Sequence, residues 1–206
     1  MKDRVNKLVG EINSFIGTFH SFGLRIIREN YMYLGLDKNF TILDSEDSLT
    51  IIKRILKDMN LDPKIYNPKT IRNKISSAKN ELIDSKSYMK FANNEYEEIV
   101  LEVFKRYEQK TKANNSLDFD DLLLYPIKLF KQNKEVLEQY QERFKYILVD
   151  EYQDTNEAQY TLIKLLSSKH KNICVVGDID QSIYGFRGAN YRNILNFEKD
   201  YPNAEV

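Results

Sequence analysis

Two apolar runs of the sequence end in carboxylates, a pattern that could support phosphate chemistry. Tyr146–Val149 is followed by Asp150 and Glu151. Ile173–Val176 is followed by a glycine and Asp178. Open parallel sheets bind ligands at the carboxyl ends of their strands, where one carboxylate can hold Mg²⁺ through water and a second can activate water. Acidic residues also open ordinary loops, so the pattern alone leaves both interpretations open.

The elements that must position these carboxylates alternate between strand and helix. The two apolar runs are separated by a segment with helical apolar spacing, at Ala158, Leu162, Leu165 and Leu166. Strand, helix and strand in this order predict a parallel sheet, so the fold class is α/β. Earlier in the chain, residues 15–20 are predicted to form a strand that turns into a helix over Phe22–Ile27, and residues 40–43 a second short strand.

Residues 45–116, called the helical unit below, show only helical periodicity. Asp44 or Ser45 can cap its first helix, and Asn67-Pro68 supplies a cap and a first-turn proline for the next. The apolar stripes lie at Leu49, Ile52, Leu56 and Met59, at Ile71, Ile75, Ala78 and Leu82, and at Tyr96, Ile99, Val100, Val103, Phe104 and Tyr107. These stripes predict an all-helical insertion between two parts of an α/β unit.

One more helix is predicted directly after the helical unit. Its apolar positions are Phe119, Leu122, Leu123, Ile127 and Phe130. Pro126 lacks a backbone donor and should kink or end this helix. Cys174 lies inside an apolar run, where a thiol is expected to pack as a small buried hydrophobe.

The composition is that of a soluble globular protein that can bury a core. Hydrophobic residues make up 42% and charged residues 30%, and 31 basic side chains balance 31 acidic ones. Any contact with nucleic acid must therefore be local: residues 64–112 carry 11 basic and 7 acidic side chains, and residues 113–206 carry 11 and 15. With one cysteine, no signal peptide and no membrane-length apolar stretch, a cytoplasmic protein is predicted.

Longer strings around the carboxylates resemble the motifs of a known family. Asp150-Glu-Tyr-Gln-Asp-Thr-Asn156 and Gly177-Asp-Ile-Asp-Gln-Ser-Ile-Tyr-Gly-Phe-Arg-Gly-Ala189 resemble motif II (Walker B) and motif III of superfamily 1 DNA helicases of the PcrA/UvrD/Rep type. Gly17-Thr-Phe-His-Ser21 resembles their motif Ib. Residues 117–122 and 196–204 also look like this family, most of all its PcrA branch in Gram-positive bacteria. The resemblance covers nearly the whole chain.

The resemblance implies a catalytic site for Mg²⁺ and ATP. It implies that Asp150 holds Mg²⁺ and that Glu151, beside the metal, polarises the attacking water. Gln181 is implied to sense the γ-phosphate and to pass this signal toward the DNA site, in line with the role of positioning and charge neutralisation in phosphoryl transfer. Gln153 is assigned to the same relay around the nucleotide, although a satisfied loop amide explains Gln153 equally well.

The resemblance also implies a site for single-stranded DNA and for junctions of single and double strands. Tyr184 and Phe186 would stack on bases and Arg187 would hold phosphates, while Thr18 and His20 lie on the motif Ib turn. From the residues alone, both aromatic rings could instead pack in a core, and His20 could be a structural histidine. The family uses tryptophan more often at the position of Phe186, so weaker stacking is expected.

The implied architecture is an incomplete RecA-like motor domain with an insertion. Residues 1–44 (motif Ib) and 117–206 (motifs II and III) would form domain 1A, and residues 45–116 would form the helical subdomain 1B, through which repair or replication proteins could bind. The sequence contains no Gly-Lys pair, so the P-loop (Walker A) is absent. We expect an internal piece of an ATP-dependent 3′–5′ helicase that is inactive alone and self-associates through an open sheet edge.

Two other functions remain open from the residues alone. A non-catalytic DNA-binding or partner-binding module could keep the motor motifs as remnants. A metal-dependent nuclease could use the acidic residues, but the signatures contain no second strand-end cluster of the expected kind. ATP hydrolysis by a longer reading frame would favour the motor.

Overall fold

The chain folds as a mixed α/β protein, in a computed structural model that describes residues 2–10, 14–178, 180, 193 and 196–205. The helices are α1 (Lys2–Val9), α2 (Phe19–Glu29), α3 (Ser45–Asp58), α4 (Pro68–Asn80), α5 (Ser85–Tyr88), α6 (Glu95–Ala113), α7 (Asp121–Gln132), α8 (Lys134–Arg143), α9 (Glu157–Ser167) and α10 (Phe197–Asp200). Short 3-10 helices span Tyr31–Leu34, Met89–Phe91 and Tyr152–Asp154. Within the described part of the chain, no helix is both long enough and apolar enough to cross a membrane.

The strands of the described residues form two short parallel pairs. They are β1 (Thr41–Ile42), β2 (Ser116–Leu117), β3 (Ile147–Val149) and β4 (Ile173–Val175). Strand β1 pairs with β2, and β3 pairs with β4 with Val149 opposite Val175. Helix α9 connects β3 to β4, so the parallel sheet predicted from the two apolar runs is confirmed.

Helices α3 to α6 of the helical unit surround their own core. Asp44 accepts backbone bonds at the start of α3, and Asn67 does so at the start of α4. The buried members of this core are Ile52, Ile55, Leu56, Ile71, Ile75, Ala78, Tyr88, Val100, Leu101, Val103, Phe104 and Tyr107. Leu82 was predicted on the apolar stripe of α4 but lies beyond its end, at φ 61°. The backbone closes there with bonds from Leu82 to Lys79 and from Ile83 to Ala78, the pattern of a Schellman cap.

A second core lies between α2, α7, α8 and α9. Its buried members are Ile26, Leu123, Ile127, Leu129, Phe130, Val136, Tyr140, Ala158, Leu162 and Leu166. The prediction that Pro126 could end α7 is wrong, because the helix continues to Gln132. The proline removes a single backbone donor, whereas the apolar face of α7 on either side of it is buried.

Three local predictions fail around these elements. Residues 15–20 form no strand, because Thr18 adopts an extended conformation and caps α2, which already begins at Phe19. Phe119 lies before α7 and is exposed rather than on its apolar face. Cys174 is exposed, because it pairs with Leu148 on the face of the β3–β4 sheet that no described element covers.

Candidate functional site

The carboxyl ends of β3 and β4 meet at one edge of their sheet. The Val176 N–H donates to the Val149 carbonyl at 2.8 Å, and the Tyr152 N–H donates to the Val176 carbonyl at 2.9 Å. Asp150 and Glu151 therefore emerge side by side, exposed, with the Glu151 N–H donating to Asp150 Oδ1 at 3.0 Å. Glu151 has a φ of 51°, a left-handed conformation that is uncommon for glutamate and must be held by its surroundings.

Gln153 lies in the segment from residue 150 to 156, called the β3–α9 turn below, and joins the two strand ends. Its side chain is fully buried. Its Nε2 donates to Glu151 Oε2 at 2.8 Å, and its Oε1 accepts the Asp178 N–H at 3.0 Å. Leaving either end of a buried amide unpaired costs free energy. Gln153 therefore fixes one carboxylate oxygen of Glu151 relative to the backbone of Asp178, which follows β4.

The end of the β3–α9 turn is also held by side chains. Thr155 Oγ1 donates to the Tyr152 carbonyl at 2.8 Å, and Asn193 Nδ2 donates to the Thr155 carbonyl at 3.1 Å. Asn156 caps α9: its Oδ1 accepts the Gln159 N–H at 2.9 Å, and Gln159 Oε1 accepts the Asn156 N–H at 3.0 Å. This reciprocal capping box fixes where the turn enters the helix.

Thr18 and His20 lie at the start of α2. Thr18 Oγ1 accepts the Ser21 N–H at 3.2 Å, so this side chain serves as the helix cap. The His20 ring stacks on Phe119, with centroids 3.9 Å apart and an interplanar angle of 22°. Burial lowers the pKa of His20, which favours the neutral imidazole. Phe119 remains 57% exposed, so an aromatic surface is open to solvent here.

The carboxylates of the β3–α9 turn fit a Mg²⁺ ion. Asp150 and Glu151 offer exposed oxygens, and Asp154 Oδ1 is buried without a hydrogen-bond partner. Burial raises the pKa of Asp154, and the negative charge of the nearby Glu151 adds to this effect. The described residues contain no group of three or more His, Cys, Asp or Glu side chains placed to hold a metal. Mg²⁺ commonly uses only one or two carboxylates and completes its shell with water and phosphate, so the chemistry of this donor set is compatible with the ion.

The chain is similar in sequence to a known protein family. The UvrD/REP helicase N-terminal domain family matches residues 1–202 of the chain. The chain belongs to this family. The matched span includes the β3–α9 turn of this UvrD/REP chain, its helical unit and the start of α2.

Individual relatives agree with the UvrD/REP assignment. The chain is 52% identical to the ATP-dependent DNA helicase PcrA of Bacillus subtilis, 51% identical to that of Staphylococcus aureus strain Mu50 and 49% identical to that of Leuconostoc citreum. Each alignment covers 100% of this chain but 28% of the relative. The chain therefore spans little more than a quarter of the length of these relatives, and the family resemblance predicted from the motifs is confirmed.

Some of the site residues predicted for a UvrD/REP protein lie within the described residues, and the others lie outside them. The β3–α9 turn brings together Asp150, Glu151 and Gln153. The start of α2 brings together Thr18 and His20. Four predicted residues lie outside the described residues: Gln181, Tyr184, Phe186 and Arg187.

Sequence reasoning missed several residues that shape this site. The spacing of Asn156 and Gln159 matches a capping box and could have been read from the sequence. Phe119 stands between two aspartates, and this polar setting is a signal of exposure. No local signal indicates Asn193, because its partner Thr155 lies 38 positions earlier in the chain.

Proposed function

We propose that this chain is the part of an ATP-dependent DNA helicase that activates water beside Mg-ATP and contacts single-stranded DNA. The observation that carries the proposal is the contact between Glu151 and Gln153 at the carboxyl end of β3, in a chain of the UvrD/REP family. The named activity of the PcrA relatives, ATP-dependent DNA helicase, supports the same assignment.

In the proposed reaction, Glu151 is the general base and Asp150 holds the metal. Mg²⁺, when bound, neutralises charge that develops on the phosphate oxygens. Gln153 fixes one oxygen of Glu151, which leaves the second oxygen free to accept a proton from the attacking water. The water oxygen bonds to the γ-phosphorus, the bond to the ADP oxygen breaks, and the proton goes to Glu151. Gln181 is proposed to contact the γ-phosphate.

DNA is proposed to bind along aromatic and cationic side chains. The exposed face of the His20–Phe119 stack, together with Tyr184 and Phe186, would stack on bases for about 1–3 kcal/mol per base. Arg187 and the backbone near Thr18 would hold phosphates. Such contacts do not read sequence. The proposed partners are single-stranded DNA and its junctions with duplex, and movement from 3′ to 5′ is proposed from the resemblance to the helicase family. Unwinding of 3′-tailed but not 5′-tailed duplexes tests this direction.

The proposed architecture has two parts. Residues 1–44 and 117–206 would belong to the RecA-like domain 1A, and the helical unit would be subdomain 1B, a surface for repair or replication proteins. Since the sequence has no Gly-Lys pair to cradle phosphates, the 206 residues alone are proposed to bind ATP more weakly than the low micromolar range and not to hydrolyse it. Titration calorimetry with Mg-ATP measures this affinity, and a low micromolar value would contradict the proposal.

The central test is DNA-stimulated ATP hydrolysis by this chain and by the complete reading frame that carries it. We expect turnover by the complete frame only. In that frame Glu151→Gln should lower kcat by about 10²–10⁴-fold, since the general base is lost. Glu135→Gln, on the exposed side of α8, is the matched control and should leave kcat unchanged. If no sample hydrolyses ATP, the non-catalytic DNA-binding or partner-binding module replaces the helicase.

A further inference from the structure

A side-chain bridge connects the helical unit to the β3–α9 turn. Asn156 Nδ2 donates to Asn80 Oδ1 at 2.6 Å, although the two residues are 76 positions apart in the sequence. Asn80 lies on the last turn of α4, and its Nδ2 donates to the Ser76 carbonyl at 2.9 Å and to Asp120 Oδ1 at 3.1 Å. Both ends of the Asn80 amide are therefore occupied, and the orientation of the amide is fixed.

The end of α4 that presents Asn80 is anchored by the neighbouring residue. Lys79 is buried and bonds Asp118 Oδ2 at 2.6 Å and Asp121 Oδ1 at 2.8 Å. These carboxylates stand at the start of α7, outside the helical unit. Because separating a buried ion pair leaves charges unpaired in the interior, the last turn of α4 cannot move independently of α7.

The bridge continues from Asn156 to the proposed general base. Asn156 Nδ2 is held by Asn80, so its Oδ1 stays directed at the Gln159 N–H and caps α9. The residue before it, Thr155, closes the turn onto the Tyr152 carbonyl, and Gln153 within this closed turn holds Glu151. A short covalent path with a hydrogen bond at each end thus runs from the helical unit to the carboxylate.

We infer that Asn80 is a positioning residue for Glu151, acting through Asn156, so that the helical unit takes part in setting the geometry of the β3–α9 turn. This inference rests on the proposed function and deepens it. It assigns to the helical unit a role inside the ATP site, in addition to any role as a binding surface.

The first test compares two asparagines of the same helix in the complete reading frame. Asn80→Ala should lower the DNA-stimulated kcat by about 2- to 30-fold with the KM for ATP unchanged, since the turn is displaced but no phosphate contact is removed. Asn73→Ala is the matched control: Asn73 is exposed on α4, and within the described part of the chain its side chain bonds the adjacent Arg72. Equal kcat values for the two variants would overturn the inference.

A double-mutant cycle separates positioning from general loss of structure. Asn156→Ser keeps a good helix cap but has no amide for Asn80 to hold. In that background Asn80→Ala should cause no further loss of kcat, because the bridge is already absent. If the fold losses in kcat of the two single substitutions multiply in the double variant, Asn80 does not act through Asn156.

Hydrogen exchange on the 206-residue chain tests the bridge without ATP. The amides of Asp154, Thr155 and Gln159 are bonded within the β3–α9 turn and its cap, and they should exchange faster in Asn80→Ala but not in Asn73→Ala. Unchanged exchange overturns the inference whatever the ATPase result. If the unsubstituted reading frame lacks ATPase activity, the proposed function fails, while exchange still decides whether the helical unit holds the turn.

Discussion

At the scale of single residues, Lys79 is a buried lysine held by two ion pairs. One ammonium group faces two carboxylates, Asp118 and Asp121, in a site that Tyr107 also enters, with its hydroxyl 3.0 Å from Asp118 Oδ2. Burial alone would lower the pKa of Lys79, but the two carboxylates raise it. Burial would raise the pKa of Asp118, but Lys79 and its hydrogen bonds hold it below the ordinary value. The pKa of Asp121, for which burial prevails, rises to about 7.

Removing the ammonium group should be among the most destabilising single changes in the chain. Lys79→Met leaves two buried carboxylates without a cation, and we expect a loss of about 3–5 kcal/mol in the free energy of unfolding. Lys74→Met on the same helix breaks the Lys74–Glu97 pair, whose lysine is 38% exposed, and should cost at most about 1 kcal/mol. Urea denaturation measures both, and similar losses would show that the buried cluster contributes no more than a surface pair.

Asp121 should make stability depend on pH between about 4 and 7. Its pKa rises from 3.8 to about 7, so the folded state binds the proton more tightly than the unfolded state. The contribution of Asp121 to the free energy of unfolding is fully present below about pH 4 and is lost as the pH rises through 7. The free energy of unfolding then falls by at most about 1.4 kcal/mol per pH unit. Asp121→Asn, which cannot ionise, should therefore gain stability relative to the unsubstituted chain over this interval.

A control for the pH effect is available on the surface. Asp58 is exposed, and hydrogen bonding to Lys110 lowers its pKa. The contribution of Asp58 to the free energy of unfolding is therefore lost only as the pH falls below the ordinary range of aspartate. Asp58→Asn should leave the slope between pH 4 and 7 unchanged. Urea denaturation at a series of pH values gives both slopes, and an unaltered slope in Asp121→Asn would contradict the assignment.

At the scale of elements, α2 and α7 pack at unusually short range. A Cβ atom added to Gly23 of α2 would stand 1.8 Å from the Leu122 carbonyl oxygen and 3.5 Å from Pro126 Cγ. Leu122 is the residue whose carbonyl loses its helical partner because Pro126 has no N–H. The glycine and the proline together allow the backbone of α2 to approach the backbone of α7 at this point.

Filling the α2–α7 contact should force the two helices apart. Gly23→Ala is expected to lower the free energy of unfolding by about 1–3 kcal/mol, despite the better helix propensity of alanine, because the obstructing atom is backbone and cannot rotate away. Arg28→Ala, on the exposed side of α2, should change stability by less than about 0.5 kcal/mol. Thermal or urea unfolding compares them, and a neutral Gly23→Ala would disprove the close packing.

At the scale of the whole molecule, one face of the β3–β4 sheet is covered by no element among the described residues. Tyr146, Leu148 and Val176 are 75%, 80% and 60% exposed, and Cys174 lies opposite Leu148. The other face packs through Val149 against Tyr152 and Ile163. An uncovered apolar sheet face with short, open edges favours pairing between chains.

We therefore expect the chain to self-associate in a concentration-dependent manner through this face. Leu148→Lys should weaken the association, because it places a charge at the centre of the apolar surface. Leu8→Lys, at an 85% exposed leucine of α1, is the matched control and should leave it unchanged. Sedimentation velocity over a range of concentrations measures both variants. A chain that stays monomeric at every concentration would contradict the prediction.

Much of the fold was predictable because its signals are local. Asp44 and Asn67 cap α3 and α4 as expected, the apolar stripe of α6 packs into the core of the helical unit, and the runs at β3 and β4 form a parallel pair. Helix caps and strand runs depend on neighbours within a few residues, so the sequence contains them in full. The family resemblance likewise rests on contiguous strings around Asp150 and Gly177.

The tertiary structure decided what depends on residues distant in sequence. The sequence by itself determined that Asp150 and Glu151 follow a strand, but only the folded chain joins Glu151 to Asp178 through Gln153 and joins Asn156 to Asn80. The exposure of Cys174 was likewise decided by the tertiary structure, since the burial of a strand residue depends on which elements cover its face of the sheet. Local patterns fix each element, whereas contacts between elements depend on how the whole chain packs.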